Sequence, residues 1–247
     1  MAEGFKPVAI RAPSDNRLLF ALRCALDLQL LTTFRFLAPN LRACRGRVLD
    51  VGAGQAPWRE LLSEAEYVGL DVESADTFGM QRQPDVVYYD GGTMPFADAS
   101  FDHVMCSEVL EHVPDSAAFM AEVARVLRPG GSLILTVPWS ARLHHVPHDY
   151  VRFTRYGLDR LLRAAGFPQM RVEERGNDVT AVANKLIVMC IRLLRPPRRI
   201  DALWSWPLAL ITAPVALGVL MAAHASLLLG LGSREDPLGY GVVAVKG

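Results

Sequence analysis

The stretch Arg47-Val-Leu-Asp-Val-Gly-Ala-Gly-Gln-Ala56 limits what this chain can fold into more than any other. Val48, Leu49 and Val51 make a short apolar run suited to a buried central strand. Gly52 and Gly54 carry no Cβ, so the backbone can turn tightly there and come close to a ligand. Pro57 is tolerated in the first turn of a helix, and Trp58-Arg-Glu-Leu-Leu62 is expected to continue it. A strand, a glycine turn and a helix start together aim unsatisfied N–H groups at a nucleotide-type ligand. A Gly-x-Gly alone is also an ordinary structural turn.

The segments that follow sharpen the reading. Tyr67-Val-Gly-Leu-Asp71 reads as a second strand ending in an acid, about twenty residues beyond the glycines, the spacing at which a carboxylate meets a ribose. Asp85-Val-Val-Tyr-Tyr-Asp90 reads as a third strand and Phe101-Asp-His-Val-Met-Cys106 as a fourth. A helix is expected from Asp115 to Leu127, stopped by Pro129-Gly-Gly131, and a fifth strand from Gly131 to Pro138. Thr154 is placed to cap a helix over Arg155 to Ala165, ended by Gly166; Gln169–Glu174 and Tyr240–Lys246 read as strands six and seven. Alternating strands and helices imply a parallel sheet with right-handed crossovers.

Five signatures stand in order: Leu-Asp-Val-Gly-Ala-Gly, Gly-Leu-Asp, Met-Pro-Phe-Ala-Asp-Ala-Ser-Phe-Asp, Glu-Val-Leu-Glu-His-Val and Arg-Val-Leu-Arg-Pro-Gly-Gly. In these the chain resembles the class I S-adenosylmethionine-dependent methyltransferases of the type 11 kind, strongly from Arg47 to Pro138 and weakly elsewhere. The resemblance implies an α/β, Rossmann-like sheet of seven strands in the order 3-2-1-4-5-7-6, the last antiparallel, with helices on both faces. It also implies S-adenosyl-L-methionine as cofactor. Asp50, Gly52 and Gly54 would surround its methionine part, Asp50 near the ammonium through water. Asp71 would accept both ribose hydroxyls. Asp90 would bond the adenine amine with the Thr93 and Met94 backbone beside the ring, and Ser107 and Glu108 would flank the sulfonium. Each acid also has a plainer role in stabilising its own turn, and Asp85 or Asp98 competes with Asp90. Glu111 and His112 are typical of the family and also suit a purely turn-shaping role.

Chemistry on an acceptor is expected after strand five, because ligands of open α/β sheets lie beyond the carboxyl ends of the strands. The segment from Pro138 to Gly157 crowds His144, His145, His148, Asp149, Tyr150, Arg152 and Tyr156 into one loop. It resembles a His-Asp-aromatic-x-Arg-aromatic-Thr pattern of bacterial methyltransferases of cell-surface glycan synthesis. A histidine near its ordinary pKa can take a proton from a hydroxyl as a methyl group arrives. His148, then His145, are the expected bases, with Asp149 orienting them and His144, Tyr150, Arg152 and Tyr156 binding substrate. The alternative is a network of His148, Asp149 and Arg152 that only fastens the loop. No fixed ligand spacing supports a metal.

Composition enters through the remaining segments. Apolar residues make up 51% of the 247 and mean hydropathy is +0.20, high for a soluble enzyme. Formal net charge is zero, which excludes bulk attraction to nucleic acid. The four cysteines show no paired spacing and read as reduced, buried thiols. A helix is expected from Ser14 or Asp15 to about Leu37, with Pro39 past its end, either closing over the cofactor or lying amphipathically at an interface. No secretory signal is read at the N-terminus. Val179–Leu194 is largely apolar, Arg195-Pro-Pro-Arg-Arg199 is a basic link, and Ala202–Ser233 has no Asp, Glu, Lys or Arg before Arg234. About 20 apolar residues cross a bilayer. With strand seven returning beside strand six, a single crossing is excluded, leaving a hairpin bent at Pro207 and Pro214, two crossings or an in-plane helix.

The chain therefore divides into an N-terminal helical segment (1–45), a cofactor-binding domain (46–178), a hydrophobic helical insert (179–233) and a final strand (234–247). The expected activity is O-methylation of a lipophilic or lipid-linked acceptor, a glycan precursor for example, at the inner face of the cell membrane, with membrane lipids as partners. Two alternatives remain: a soluble small-molecule methyltransferase whose insert is a homodimer interface or lid, and a non-catalytic membrane scaffold.

Overall fold

The computed structural model describes residues 10–247. The sequence from Met1 to Pro13 reads as an irregular lead, and its first nine residues lie outside the described residues. Seven strands are present: β1 Gly46–Val51, β2 Ala65–Val72, β3 Val86–Tyr89, β4 Phe101–Ser107, β5 Leu127–Pro138, β6 Gln169–Arg175 and β7 Gly239–Val245. They form one sheet in the order β3-β2-β1-β4-β5-β7-β6, with β7 antiparallel to both neighbours and the rest parallel. This is the expected architecture. The chain winds outward from β1 to β3 and then returns to β4 beside β1. A crevice therefore opens at the carboxyl ends of these two strands.

Alternation along each strand fills two cores. Leu49, Val104 and Leu133 point to one face, against Met120 and Val123 of α3 (Ser116–Val126) and Leu158 and Leu162 of α4 (Arg155–Ala164). Val48, Met105 and Ile134 point to the other, against Phe36, Leu37 and Leu41 of α2 (Leu28–Arg42). Asp115 and Thr154 cap α3 and α4 by accepting backbone N–H bonds. All four cysteines are buried and free.

Three local expectations change. The first long helix is two: α1 (Arg17–Leu26), capped by Asn16, and α2, with Pro39 inside it. Asp27 breaks them because its side chain accepts the Leu30 N–H, capping a new helix instead of continuing the old one. The helix expected after Pro57 is a single 3₁₀ turn, Arg59–Leu61. Trp58, Leu61 and Leu62 are drawn into the core, and Ala65 already begins β2. In the insert, Pro207 and Pro214 do not bend the chain. Both lie within one continuous helix, α6 (Ala202–Leu229), which runs back along α5 (Asp178–Leu194). The reversal occurs at residues 195–201, where two consecutive prolines remove two donors.

The α5–α6 hairpin is fastened at its root. Asn177 caps α5 in a reciprocal pair with Thr180, and donates to Ser226 Oγ (3.0 Å) and the Leu231 carbonyl (2.8 Å). Small residues on α6, Ser205, Ala209, Ala216 and Ala223, form the buried stripe facing α5. The rest of α6 is an exposed apolar surface, with Leu210 78% and Ile211 69% exposed.

Candidate active site

The crevice continues into a cleft of about 2290 Å³ lined by residues of β1, β2, β4, the loop after β5, α1 and α5. A small-molecule pocket is roughly 300–1,000 Å³, so two reactants can share this one. At its floor Gly52 has φ +75° and Gly54 φ +53°, the left-handed region that other residues enter at a cost. A Cβ on Gly52 would lie 2.4 Å from Val109 Cγ2, so only glycine lets the turn close on β4's end.

Two carboxylates border this turn. Asp50, 3% exposed, accepts the Tyr67 hydroxyl at 2.9 Å. Burial pushes its pKa from the ordinary 3.8 up to about 7; the Tyr67 bond opposes the rise and the charge of Asp71 adds to it. Asp71 accepts the Gly54 N–H through Oδ2 and the Val72 N–H through Oδ1, both at 2.8 Å. Burial raises its pKa too, and these two bonds pull it back. Across the cleft Glu108 holds a left-handed backbone, φ +55°. Its N–H donates to the Thr136 carbonyl and its carboxylate pairs with Arg175 at 2.7 Å. Arg175 is itself buried and donates to the Val137 and Tyr240 carbonyls and to Thr33, so Glu108 is rigidly aimed.

The loop after β5 supplies the opposite wall. His144, His145, His148 and Tyr150 line the cleft, as does His112 from the turn after β4. Phe78 packs against the rings of His112, His145 and His148. His148 Nδ1 lies 3.0 Å from the Tyr150 hydroxyl. Asp149 is turned away. It clamps Arg152 with both oxygens and accepts the His144 backbone N–H at 3.0 Å. Arg152 beside it holds its pKa below the ordinary value, against the effect of burial.

Residues 49–135 match the family model described as a methyltransferase domain. The chain carries a class I S-adenosylmethionine-dependent methyltransferase domain. It is 38% identical over 106 residues to a demethylmenaquinone methyltransferase of Beutenbergia cavernae, covering 38% of this chain and 43% of the relative. It is 34% identical over 111 residues to a ubiquinone biosynthesis O-methyltransferase of Xanthomonas oryzae pv. oryzae, covering 41% and 46%. In both cases the match spans less than half the length of the curated relative. A solved S-adenosylmethionine-dependent methyltransferase of Archaeoglobus fulgidus superposes with a TM-score of 0.52 at 18% identity, covering 92% of this chain and 99% of that one, and shares the fold.

The methyltransferase domain brings most of the sequence-expected donor residues together. Asp50, Gly52, Gly54, Asp71, Asp90, Ser107 and Glu108 all line the cleft. The donor fits here: the left-handed glycine turn lines the floor of the cleft, and two carboxylates lie beside it. Asp85 is tied to Arg59 and Asp98 to Arg125, whereas, among the described residues, Asp90 at the end of β3 has no ion pair and accepts only the Gly92 N–H at 2.9 Å. Thr93 and Met94 do not line the cleft. The Met94 side chain is buried and its N–H is used by Glu122. Val72, Tyr89 and Phe78 occupy that wall instead.

Among the acceptor residues, the geometry corrects three expectations. Asp149 orients His144, not His148, because Arg152 and the His144 N–H saturate it. Arg152, bound to Asp149, does not line the cleft, and Tyr156, 81% exposed in the first turn of α4, stands outside it. Sequence reasoning missed Tyr67, Arg175 and Phe78, which act only through partners more than fifteen residues away in the chain or more distant still. Glu111, for which the sequence left a family-typical and a turn-shaping role open, is fully buried.

Proposed function

We propose that this protein transfers the methyl group of S-adenosylmethionine to an oxygen of a lipophilic or lipid-linked acceptor at the inner face of the cell membrane. The observation that carries this reading is the composition of the cleft. One wall holds Asp50, Gly54 and Asp71. The other is Leu19, Leu22 and Leu26 of α1 with Ile187, Val188 and Met189 of α5. The three α1 leucines are each more than half exposed, so the mouth of the cleft is itself greasy. α1 is joined to α6 through His224 Nε2 and the Ala25 carbonyl, 2.8 Å apart, which makes the mouth continuous with the exposed apolar face. The ubiquinone biosynthesis relative carries O-methyl transfer in its name, and the menaquinone relative is likewise named for a quinone.

When bound, S-adenosylmethionine supplies a methyl carbon made electrophilic by a positive sulfur. The protein's part is to align the reactants and exclude water. Asp71 is placed to accept the ribose hydroxyls with the lone pairs left after Gly54 and Val72. Asp50 would lie near the ammonium of the donor's methionine part. His148 is the base: in the tautomer where its Nδ1–H donates to the Tyr150 oxygen, Nε2 is left to take the acceptor's proton. His145 and His144 complete the acceptor wall.

α5 at 1.5 Å per residue is about 26 Å long, short of the roughly 30 Å hydrocarbon core, whereas α6 is about 42 Å. α6 is one helix among the described residues long and apolar enough to cross a membrane, with only 22% of its most apolar window buried. The tip between the helices carries exposed Arg195, Arg198 and Arg199. A hairpin with a short arm and a basic tip suits lying in the interface against anionic lipid better than crossing.

The test incubates purified protein with radiolabelled S-adenosylmethionine and total lipid extract. Label recovered in the organic phase supports the proposal. Label transferred only to water-soluble acceptors replaces it with the soluble alternative.

A further inference from the structure

Glu111 is the most unusual buried group in the molecule. Its side chain is 0% exposed, and neither carboxylate oxygen has a hydrogen-bond partner. Two imidazoles face it. His112 Nε2 lies 3.7 Å and His144 Nε2 3.8 Å from Glu111 Oε1, too far for hydrogen bonds. His112 Nε2 is itself buried without a partner.

The tautomers follow from the other ring nitrogens. His112 Nδ1 lies 2.6 Å from the His148 carbonyl, which can only accept, so Nδ1 carries the proton. His144 Nδ1 lies 3.2 Å from the Arg142 carbonyl and 3.3 Å from Asp149 Oδ2, again acceptors only. Both Nε2 atoms therefore present lone pairs toward the Glu111 carboxyl group. The Glu111 carboxyl group and the two imidazole nitrogens converge without a hydrogen bond between them, an arrangement that a cation satisfies.

The spacing agrees. The three ligand atoms lie within 4.8 Å of one another. Ligands at zinc distances of 2.0–2.2 Å in a tetrahedron stand about 3.4 Å apart, so the two distances to Glu111, 3.7 and 3.8 Å, need a few tenths of an ångström of closure, and the two imidazole nitrogens, within 4.8 Å, need to approach as well. The outer partners are also those of a metal site, since each histidine donates its remote N–H to a carbonyl or a carboxylate. Two histidines and one carboxylate with room for a further ligand suit zinc or iron(II).

We propose that Glu111, His112 and His144 bind one divalent first-row metal ion in the wall of the cleft. Both histidines line the cleft, so the ion borders the acceptor. There it acts as a Lewis acid on an acceptor oxygen, making its hydroxyl easier to deprotonate. That role rests on the methyl-transfer reading; the binding itself does not.

The test is calorimetric titration of chelator-treated, full-length protein with zinc chloride, with no methyl donor present. Cobalt(II) substitution then reports coordination through its visible d–d absorption. One ion per chain is expected in the native sequence and in His103→Ala, a histidine on β4 that bonds Ser132 outside the cleft. His112→Ala and His144→Ala should each weaken binding by more than the roughly 10–100-fold that loss of an outer partner costs. Both side chains are partly exposed, and circular dichroism confirms that the variants fold. Folded native protein that takes up no zinc overturns the proposal, as does binding that is unchanged in both variants. Because donor and acceptor are absent, either failure leaves the methyl-transfer reading standing.

Discussion

Asp50 shows how one buried carboxylate couples stability to ligand binding. Its pKa of about 7 exceeds the 3.8 of an exposed aspartate, so between these values the folded chain holds a proton that the unfolded chain has lost. Stability is therefore greatest below pH 4 as far as this group is concerned, and falls as pH rises toward 7. The loss is on the order of 4 kcal/mol once the group is ionised. Asp50→Asn should remove that pH dependence and stabilise the ligand-free protein near pH 8, measured by urea unfolding across the pH range. In the native protein, affinity for a ligand with an ammonium group should rise as pH passes through 7, because the carboxylate ionises to meet it. Isothermal titration at pH 6 and pH 8 checks this, and Asp50→Asn should flatten the difference. Asp71→Ala removes charged acceptors worth about 1.5–3 kcal/mol each. It should weaken S-adenosylmethionine binding about 100-fold or more, and unchanged affinity would remove the cofactor assignment. These two acids were legible in the sequence, because strand, turn and acid follow one another within a single crossover. The acceptor wall was legible only as a crowd. Nothing in the order of residues tells that Asp149 serves Arg152 and His144, or that Glu111 meets a histidine from a different loop.

At the scale of elements, the sheet was readable because its strands are uninterrupted apolar runs and its turns carry glycine. The helices were less so. The α1–α2 break depends on whether Asp27 caps or continues, a choice between two local bonds that composition does not settle. The insert was readable as apolar and helical, but its bend was not. Pro207 and Pro214 each delete one bond from a helix whose exposed carbonyls can find other partners, whereas Pro196-Pro197 stops the chain outright. α6 packs against α5 as one continuous helix. This predicts that the outer face of α6 has no part in folding. Leu210→Glu with Ile211→Glu should leave the circular dichroism spectrum and thermal midpoint nearly unchanged, since both side chains are largely exposed. The same pair should abolish co-sedimentation with anionic vesicles. Vesicle binding that survives the change would mean that this face does not meet lipid.

On the scale of the whole molecule, charge and apolar surface have to be considered together. Net charge is zero, so no global field draws the protein to an anionic surface. Attraction is local, at the hairpin tip, beside the apolar face of α6 and the leucines of α1. A basic residue at an anionic surface contributes about 1 kcal/mol. Arg198→Ala with Arg199→Ala should therefore weaken binding to phosphatidylserine vesicles by roughly 30-fold at physiological salt, and by less as salt rises. Residues of α1 and α5 line the cleft, so the proposed docking would place its mouth against the layer that holds a lipophilic acceptor. On the proposed reading the acceptor would arrive by diffusion in two dimensions without leaving the bilayer. If so, vesicles should lower the apparent KM for a lipophilic acceptor while leaving kcat and donor affinity alone, and should do nothing for a water-soluble analogue of the same headgroup. The double arginine variant should lose the KM advantage and keep kcat. An equal gain for both acceptors would trace the effect to a change in the protein itself, because concentrating a substrate in the membrane cannot help one that never enters it.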